Sequence, residues 1–152
     1  MRLRIASQDD APEISEMLRE LVAAGRRTAR ADVEFVIGHY VANPNGICCT
    51  LAAGENGNIL GFQSLIHSTE GNPYATPVGW GIIGTHVSPK AVRTGVGTSL
   101  FLASRAALVQ TGLTNIEAFI AKDNVIAQAY YERMGFETYR ETAAAVCKVF
   151  RL

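Results

Sequence analysis

The chain has 152 residues, 48% of them hydrophobic and 18% charged, which suits a single domain spanning residues 1–152 with a substantial buried core. Fourteen basic and fourteen acidic side chains cancel, so the electrostatic footprint of a nucleic-acid binder or of a protein held on an anionic membrane is missing. No apolar run reaches membrane-spanning length and the N-terminus, MRLRIASQDD, lacks the apolar stretch of a signal peptide, so a cytoplasmic location is expected.

Alternation from Arg2 to Ala6 predicts a short first strand. Asp10 with Glu13 has the spacing of a capping box, and Ile14, Met17, Leu18, Leu21 and Val22 recur with helical periodicity until Gly25. Val33, Val36, Ile37, Tyr40 and Val41 repeat that spacing and stop at the turn Asn43-Pro44-Asn45-Gly46. Ile47 to Ala53 and Asn58 to His67 read as a hairpin closed by Gly54-Glu55-Asn56-Gly57. His67 to Gly79 is a long irregular loop, of the length that often carries function, before a strand at Trp80 to Val87. Leu100, Ala103, Ala107 and Leu108 give the next helix its apolar stripe, ended by Gly112. Leu113 to Ala121 is a strand with apolar residues on both faces, as a central strand requires. Ala127, Tyr131 and Met134 share a face of the last helix, which Gly135 terminates, and Glu137 to Leu152 forms two strands around Glu141 to Ala143.

Cys48 and Cys49 are neighbours that point to opposite faces of a strand, and Cys147 lies far along the chain. Neither a redox pair nor a metal-ligand spacing exists, so all are expected to be reduced core thiols and no metal is expected.

The segment Val87 to Leu102, VSPKAVRTGVGTSLFL, ends a strand, turns through Gly95 and Gly97, and opens a helix. Glycines there let the backbone approach a diphosphate, and the first-turn N–H groups together with the helix dipole favour its charge. A second segment, Asn124 to Phe136, NVIAQAYYERMGF, puts a tyrosine on another helix. Together, in this order and spacing, they resemble the GNAT-type N-acetyltransferases, and the alternation of elements is that of the family over nearly the whole chain. The implied fold is α/β (α+β), a mixed central sheet flanked by about four helices. The implied activity is transfer of an acetyl group from the co-substrate acetyl-CoA to a primary amine of a small-molecule or peptide acceptor. No nucleic acid or membrane partner is implied, and a homodimer is left open.

In the first family motif a valine is followed by an arginine or glutamine and then by two glycines. Val87, Gly95 and Gly97 match, while Val92 stands where the Arg or Gln belongs, with Lys90 and Arg93 nearby. The resemblance implies that main-chain N–H groups of Arg93, Thr94, Gly95, Val96, Gly97 and Thr98 hold the pyrophosphate. A valine at position 97 is expected to block that approach without disturbing the free protein. In the second motif Asn124, Ala127, Tyr131, Gly135 and Phe136 match throughout. By resemblance Asn124 contacts the pantetheine arm, and Tyr131 protonates the departing thiolate. A phenol near its ordinary pKa of ~10 suits that role. The strand before the glycine loop carries the pantetheine on its open edge in relatives, through main-chain groups here at Thr85 and Val87.

Many relatives place a glutamate on that strand to take the amine's proton, whereas no Asp or Glu occurs from Gly71 through Ile116. His86 is the candidate base, with a usual imidazole pKa near ~6.5. Its side chain lies on the face opposite Thr85 and Val87. Glu117 and Glu70 are alternatives that read as solvated surface carboxylates, and His39 and His67 read as surface residues. In relatives the acceptor sits between the first helices and the long loop, here among Arg26, Arg27, Arg30, Glu70, Tyr74 and Trp80. That mixture suits a small amine bearing its own carboxylate. A domain that binds acyl-CoA without chemistry, as a sensor or partner module, is the alternative, supported by Val92 and the missing strand carboxylate.

Overall fold

The computed structural model describes residues 1–152. Seven strands form one sheet in the order β1-β2-β3-β4-β5-β7-β6, with β1 Arg2–Ile5, β2 Gly46–Ala53, β3 Ile59–His67, β4 Gly81–Val87, β5 Asn115–Ala121, β6 Glu137–Glu141 and β7 Ala145–Arg151. All neighbours are antiparallel except β4 and β5, which run parallel. Four helices flank it: α1 Ala11–Ala23, α2 Val33–Val36 continuing into a π-helical turn over Ile37–Val41, α3 Val96–Val109 and α4 Val125–Met134.

The helices divide between the faces. Ile14, Leu18 and Val36 pack with Leu51 and Phe62 under α1 and α2. Leu65, Phe101, Leu108, Ile116, Ile120 and Phe136 pack under α3 and α4. This arrangement is the expected mixed sheet with four helices, and no helix is long and apolar enough to cross a membrane.

Several local expectations shift. A single 3-10 turn over Gln8–Asp10 precedes α1, and the capping box is Ser7 with Asp10, whose Oδ2 accepts from the Ser7 N–H at 2.8 Å. The Asp10 carboxylate also accepts from Arg4 Nη2 and Nη1, at 2.7 and 2.8 Å, which draws it back before the helix. Glu13 instead accepts from the Ile59 N–H at 3.1 Å and ties α1 to β3. Val22 is 43% exposed rather than part of the buried stripe, and on α3 Phe101 and Ser104 are buried where Ala103 and Ala107 are only half-buried. The three cysteines are unpaired, with Cys49 and Cys147 buried and Cys48 half-buried.

Candidate active site

The parallel pairing of β4 with β5 covers only Gly81 to Ile83 against Ile116 to Ala118, whereas β4 stays paired with β3 as far as Val87. Beyond Ile83 the two parallel strands separate. The Ser88 N–H donates to Leu60 O, so backbone alternation turns the main-chain groups of Thr85 and Val87 away from β3 and into that cleft. Each lacks the strand partner a continuous sheet would provide.

At one end of the cleft α3 begins. Arg93 and Gly95 both adopt positive φ, +61° and +82°, and this turns the chain so that the N–H groups of Gly95, Val96, Gly97 and Thr98 open a helix with no acceptor inside the protein. Four converging donors at the positive end of a fourteen-residue helix form an anion cradle. A Cβ at Gly95 meets nothing within 4 Å, while one at Gly97 sits 2.6 Å from Cε1 of Tyr130. This corrects one expectation: valine at position 97 collides with the Tyr130 ring and disturbs the free protein, so Gly97 serves packing as well as access. Val92 is 40% exposed and places no charge beside the cradle.

Tyr131 reaches the cleft from α4. Gly135, at φ +103°, ends that helix, and Phe136 folds back to pack edge-on against Tyr131 with ring centroids 5.0 Å apart. The Gly-Phe part of the motif thus fixes the ring. The Tyr131 hydroxyl lies 2.7 Å from Thr85 Oγ1, just where β4 leaves β5. Its partner is Thr85, through the side-chain hydroxyl and with the Thr85 main chain also close. The residue is 4% exposed, and burial pushes its pKa above the ordinary phenol value rather than leaving it unperturbed.

Asn124 caps α4, its Oδ1 accepting from the Ala127 N–H at 3.1 Å. Ala127 packs beside the core under that helix.

Thr85 belongs to a buried polar chain that the sequence motifs do not reveal. Gln63 is fully buried and donates from Nε2 to Thr85 Oγ1 at 2.8 Å and to the Tyr130 hydroxyl at 3.1 Å, while its Oε1 accepts from Ser104 Oγ at 2.5 Å. Tyr130 in turn donates to Gly97 O at 2.7 Å, linking the cleft to the anion cradle. The one signal for it in the sequence is a lone glutamine inside the apolar strand Ile59–His67.

On the opposite face of β4 lies a pocket of about 220 Å³ lined by Arg27, His39, Tyr40, Tyr74, His86 and Phe119, with Ile82, Ile83 and Gly84 of β4 among its walls. Arg27 and Tyr74 are expected there from the sequence. His39 is not, yet it lines the pocket with Nε2 3.2 Å from the Tyr74 hydroxyl. His86 packs on Phe62 and Tyr40, ring centroids 4.8 and 5.2 Å away. Burial, with Arg27 and His39 close by, pushes its pKa down to about 3. A neutral imidazole so reluctant to take a proton is a hydrogen-bond acceptor at pH 7 and a weak base, contrary to the expectation of an ordinary value near ~6.5.

The other carboxylates do not replace it. Glu117 is completely buried, not solvated. It accepts from Arg140 Nη2 and Nε at 2.8 and 3.0 Å and from the Thr76 and Tyr139 hydroxyls. Arg140 Nη2 also donates to Tyr74 O at 2.8 Å, so this cluster fastens the long loop that brings Tyr74 to the pocket. Trp80 packs at a tilt against Tyr139 outside the pocket, Arg30 pairs with Asp32 at 2.8 Å, and Arg26 and Glu70 are exposed.

Residues 13–136 match the model of the acetyltransferase (GNAT) family. A mycothiol acetyltransferase of Kocuria rhizophila is 26% identical over 114 residues, covering 74% of this chain and 37% of the relative. The chain spans about a third of the length of the curated relatives it matches. Among solved structures, a GCN5-related N-acetyltransferase from Kribbella flavida superposes with a TM-score of 0.79 at 19% identity, covering 99% of this chain and 97% of that one. A phosphinothricin acetyltransferase from Sinorhizobium meliloti in complex with AcCoA gives 0.79 at 20% identity, covering 99% and 88%.

Proposed function

The chain belongs to the GNAT acetyltransferase family, and we propose that it moves the acetyl group of acetyl-CoA to a primary amine of a small acceptor by direct attack within a ternary complex. The observation that carries this reading is the junction at Thr85. There the β4–β5 cleft, the Tyr131 hydroxyl and, across the strand, the small pocket all meet on one stretch of backbone. A thioester laid along the cleft is reachable from the pocket face, and no covalent enzyme intermediate is required.

The residues fit the co-substrate. Gly95, Val96, Gly97 and Thr98 offer free N–H groups to a diphosphate, with Arg93 and Thr94 on the approach, and Thr85 and Val87 offer an unpaired strand edge to an extended amide-bearing arm. Val92 contributes no charge, so the main chain carries this affinity. Asn124 spends Oδ1 on its helix cap and keeps its amide N–H groups for the arm. Acetyl-CoA, when bound, supplies an activated acetyl thioester.

Tyr131 acts as proton donor to the departing sulfur. Its raised pKa keeps the phenol protonated at every physiological pH. Because Gln63 donates to Thr85 Oγ1, the threonine O–H is free to turn toward Tyr131 and steady the phenolate as its proton leaves. The pocket supplies no strong base and needs none. Burial and the fixed charge of Arg27 disfavour an ammonium there, so the acceptor binds as the neutral, nucleophilic amine and His86 accepts a hydrogen bond from it; the proton that the acylated, now strongly acidic nitrogen sheds passes to solvent water, from which the Tyr131 phenolate is reprotonated. We place the reaction in the cytoplasm, consistent with three unpaired cysteines. Incubation with labelled acetyl-CoA and a pool of primary amines tests the reading: label in an amide product supports it, and CoA binding without transfer favours a sensor module.

A further inference from the structure

The acceptor pocket contains a cation with no counter-ion. Arg27 forms no pair with any carboxylate, and no Asp or Glu lines the pocket. Its Nη2 donates to Arg30 O at 2.6 Å and to the Tyr40 hydroxyl at 3.0 Å, which fixes the guanidinium against the Phe35 and Tyr40 rings, 5.9 and 5.8 Å from their centroids. Its Nε is the only buried side-chain polar atom in the protein without a hydrogen-bond partner. Nε itself is closed to any ligand, but Nη1 is not buried and has no hydrogen-bond partner either, so a bound anion can pair with the partly desolvated guanidinium there and offset the cost of its uncompensated charge.

From this we infer that the acceptor carries a carboxylate that pairs with Arg27, and that it is a free amino acid with an apolar or aromatic side chain. The inference rests on the acetyl-transfer reading above. A polyamine or aminoglycoside brings several ammonium groups into a pocket that holds a fixed positive charge and no carboxylate, an arrangement that repels it. The volume of about 220 Å³ lies below the roughly 300–1,000 Å³ of pockets for drug-sized ligands and fits one small molecule. Tyr40, Tyr74, Phe119, Ile66 and Ile82 leave an apolar wall for a side chain, while His86 and the Gly84 backbone mark where the amine meets the strand carrying the thioester. A Cβ at Gly84 would stand 3.2 Å from Ser64 Oγ and 3.6 Å from His86 Nε2, taking up space beside the imidazole.

The test compares L-leucine, L-methionine and L-phenylalanine with their carboxamides and with spermidine, in the wild type and in Arg27→Gln and Arg27→Lys. CoA-induced thermal stabilisation is measured in each protein. Removing a charge-assisted hydrogen bond between Arg27 and the acceptor carboxylate should raise KM for the free acids about 10- to 100-fold in Arg27→Gln, with kcat within a few-fold. The carboxamides are poor substrates of the wild type and lose much less than the acids in the variant, so the acid-over-carboxamide preference collapses, and Arg27→Lys recovers part of it. Carboxamides or spermidine used as well as the acids, or an acid preference that survives Arg27→Gln, overturns the inference. So does the absence of any amine product when CoA still stabilises the protein, an outcome that leaves the cofactor assignment standing. Failure of CoA to stabilise the wild type removes the underlying reading and the inference with it.

Discussion

Replacing Tyr131 by phenylalanine separates its chemical role from its packing role. The ring keeps its edge-on contacts with Phe136 and Tyr130, each at 5.0 Å between centroids. The only group removed is the hydroxyl, 2.7 Å from Thr85 Oγ1. Between two uncharged hydroxyls a hydrogen bond is worth about 1 kcal/mol, a fall in Tm of roughly 2–4 °C for a domain of this size. Loss of a general acid costs far more: a fall of about 10² to 10⁴ in kcat, or roughly 2.7–5.4 kcal/mol of barrier. Thiol release from acetyl-CoA with an acceptor found among the amino acids, under single-turnover conditions that make chemistry rate-limiting, measures the catalytic effect. A melting curve measures the effect on stability, and CoA affinity should stay within a few-fold. Thr85→Val should give a smaller loss, about 3- to 10-fold, by removing the hydroxyl that steadies the phenolate. Turnover of Tyr131→Phe within twofold of wild type refutes the assignment. An activity loss that merely follows the fraction unfolded makes Tyr131 a core residue.

Thr98→Glu adds a negative charge at the first turn of α3, where the dipole favours it, so the free protein should gain about 0.3–1 kcal/mol while CoA binds about 10-fold more weakly; equal binding by titration calorimetry removes the anion cradle. Glu117→Ala strands the Arg140 guanidinium and unfastens the Tyr74 loop, at a cost of about 3–5 kcal/mol, and should raise the acceptor KM without altering CoA affinity; an unchanged acceptor KM in the folded variant contradicts the loop's role. For His86 the folded pKa of about 3 lies below the unfolded value of ~6.5. Its contribution to stability is therefore complete above about pH 6.5 and is lost as pH falls toward 3, by up to about 1.4 kcal/mol per pH unit. His86→Gln should flatten that part of the denaturation profile between about pH 6.5 and pH 4, and a slope identical to wild type disproves the buried neutral imidazole.

The order of elements along the chain is legible in the sequence because local signals set it: helical periodicity, turn glycines, and two motifs whose residues lie close along the chain. Gly95 and Gly135 can be placed by the positive φ their turns need, and the structure gives both. What cannot be read depends on contacts between distant segments. Glu117 on its own resembles any surface carboxylate, and only the pairing of β5 with β7, and of β7 with β6, brings Arg140 and Tyr139 to it. His39 has the sequence surroundings of a solvated residue until the loop carrying Tyr74 closes over it. The packing role of Gly97 is hidden for the same reason, since the ring that fills its space belongs to Tyr130, on a different helix. Spacing pairs Asp10 with Glu13, but Arg4, across a turn, captures the Asp10 carboxylate.

Whether this fold transfers acetyl groups or merely holds acyl-CoA is decided by following the acetyl carbon itself. Purified protein is mixed with acetyl-CoA labelled in the acetyl group and with an equimolar set of free amino acids, and both small molecules and protein are analysed by mass spectrometry as free CoA accumulates. One labelled N-acetyl amino acid should form for each CoA released, with no acetylated protein at any time and loss of product in Tyr131→Phe. Tight CoA binding with no labelled amide, or label accumulating on the protein before it reaches the amine, contradicts direct acetyl transfer.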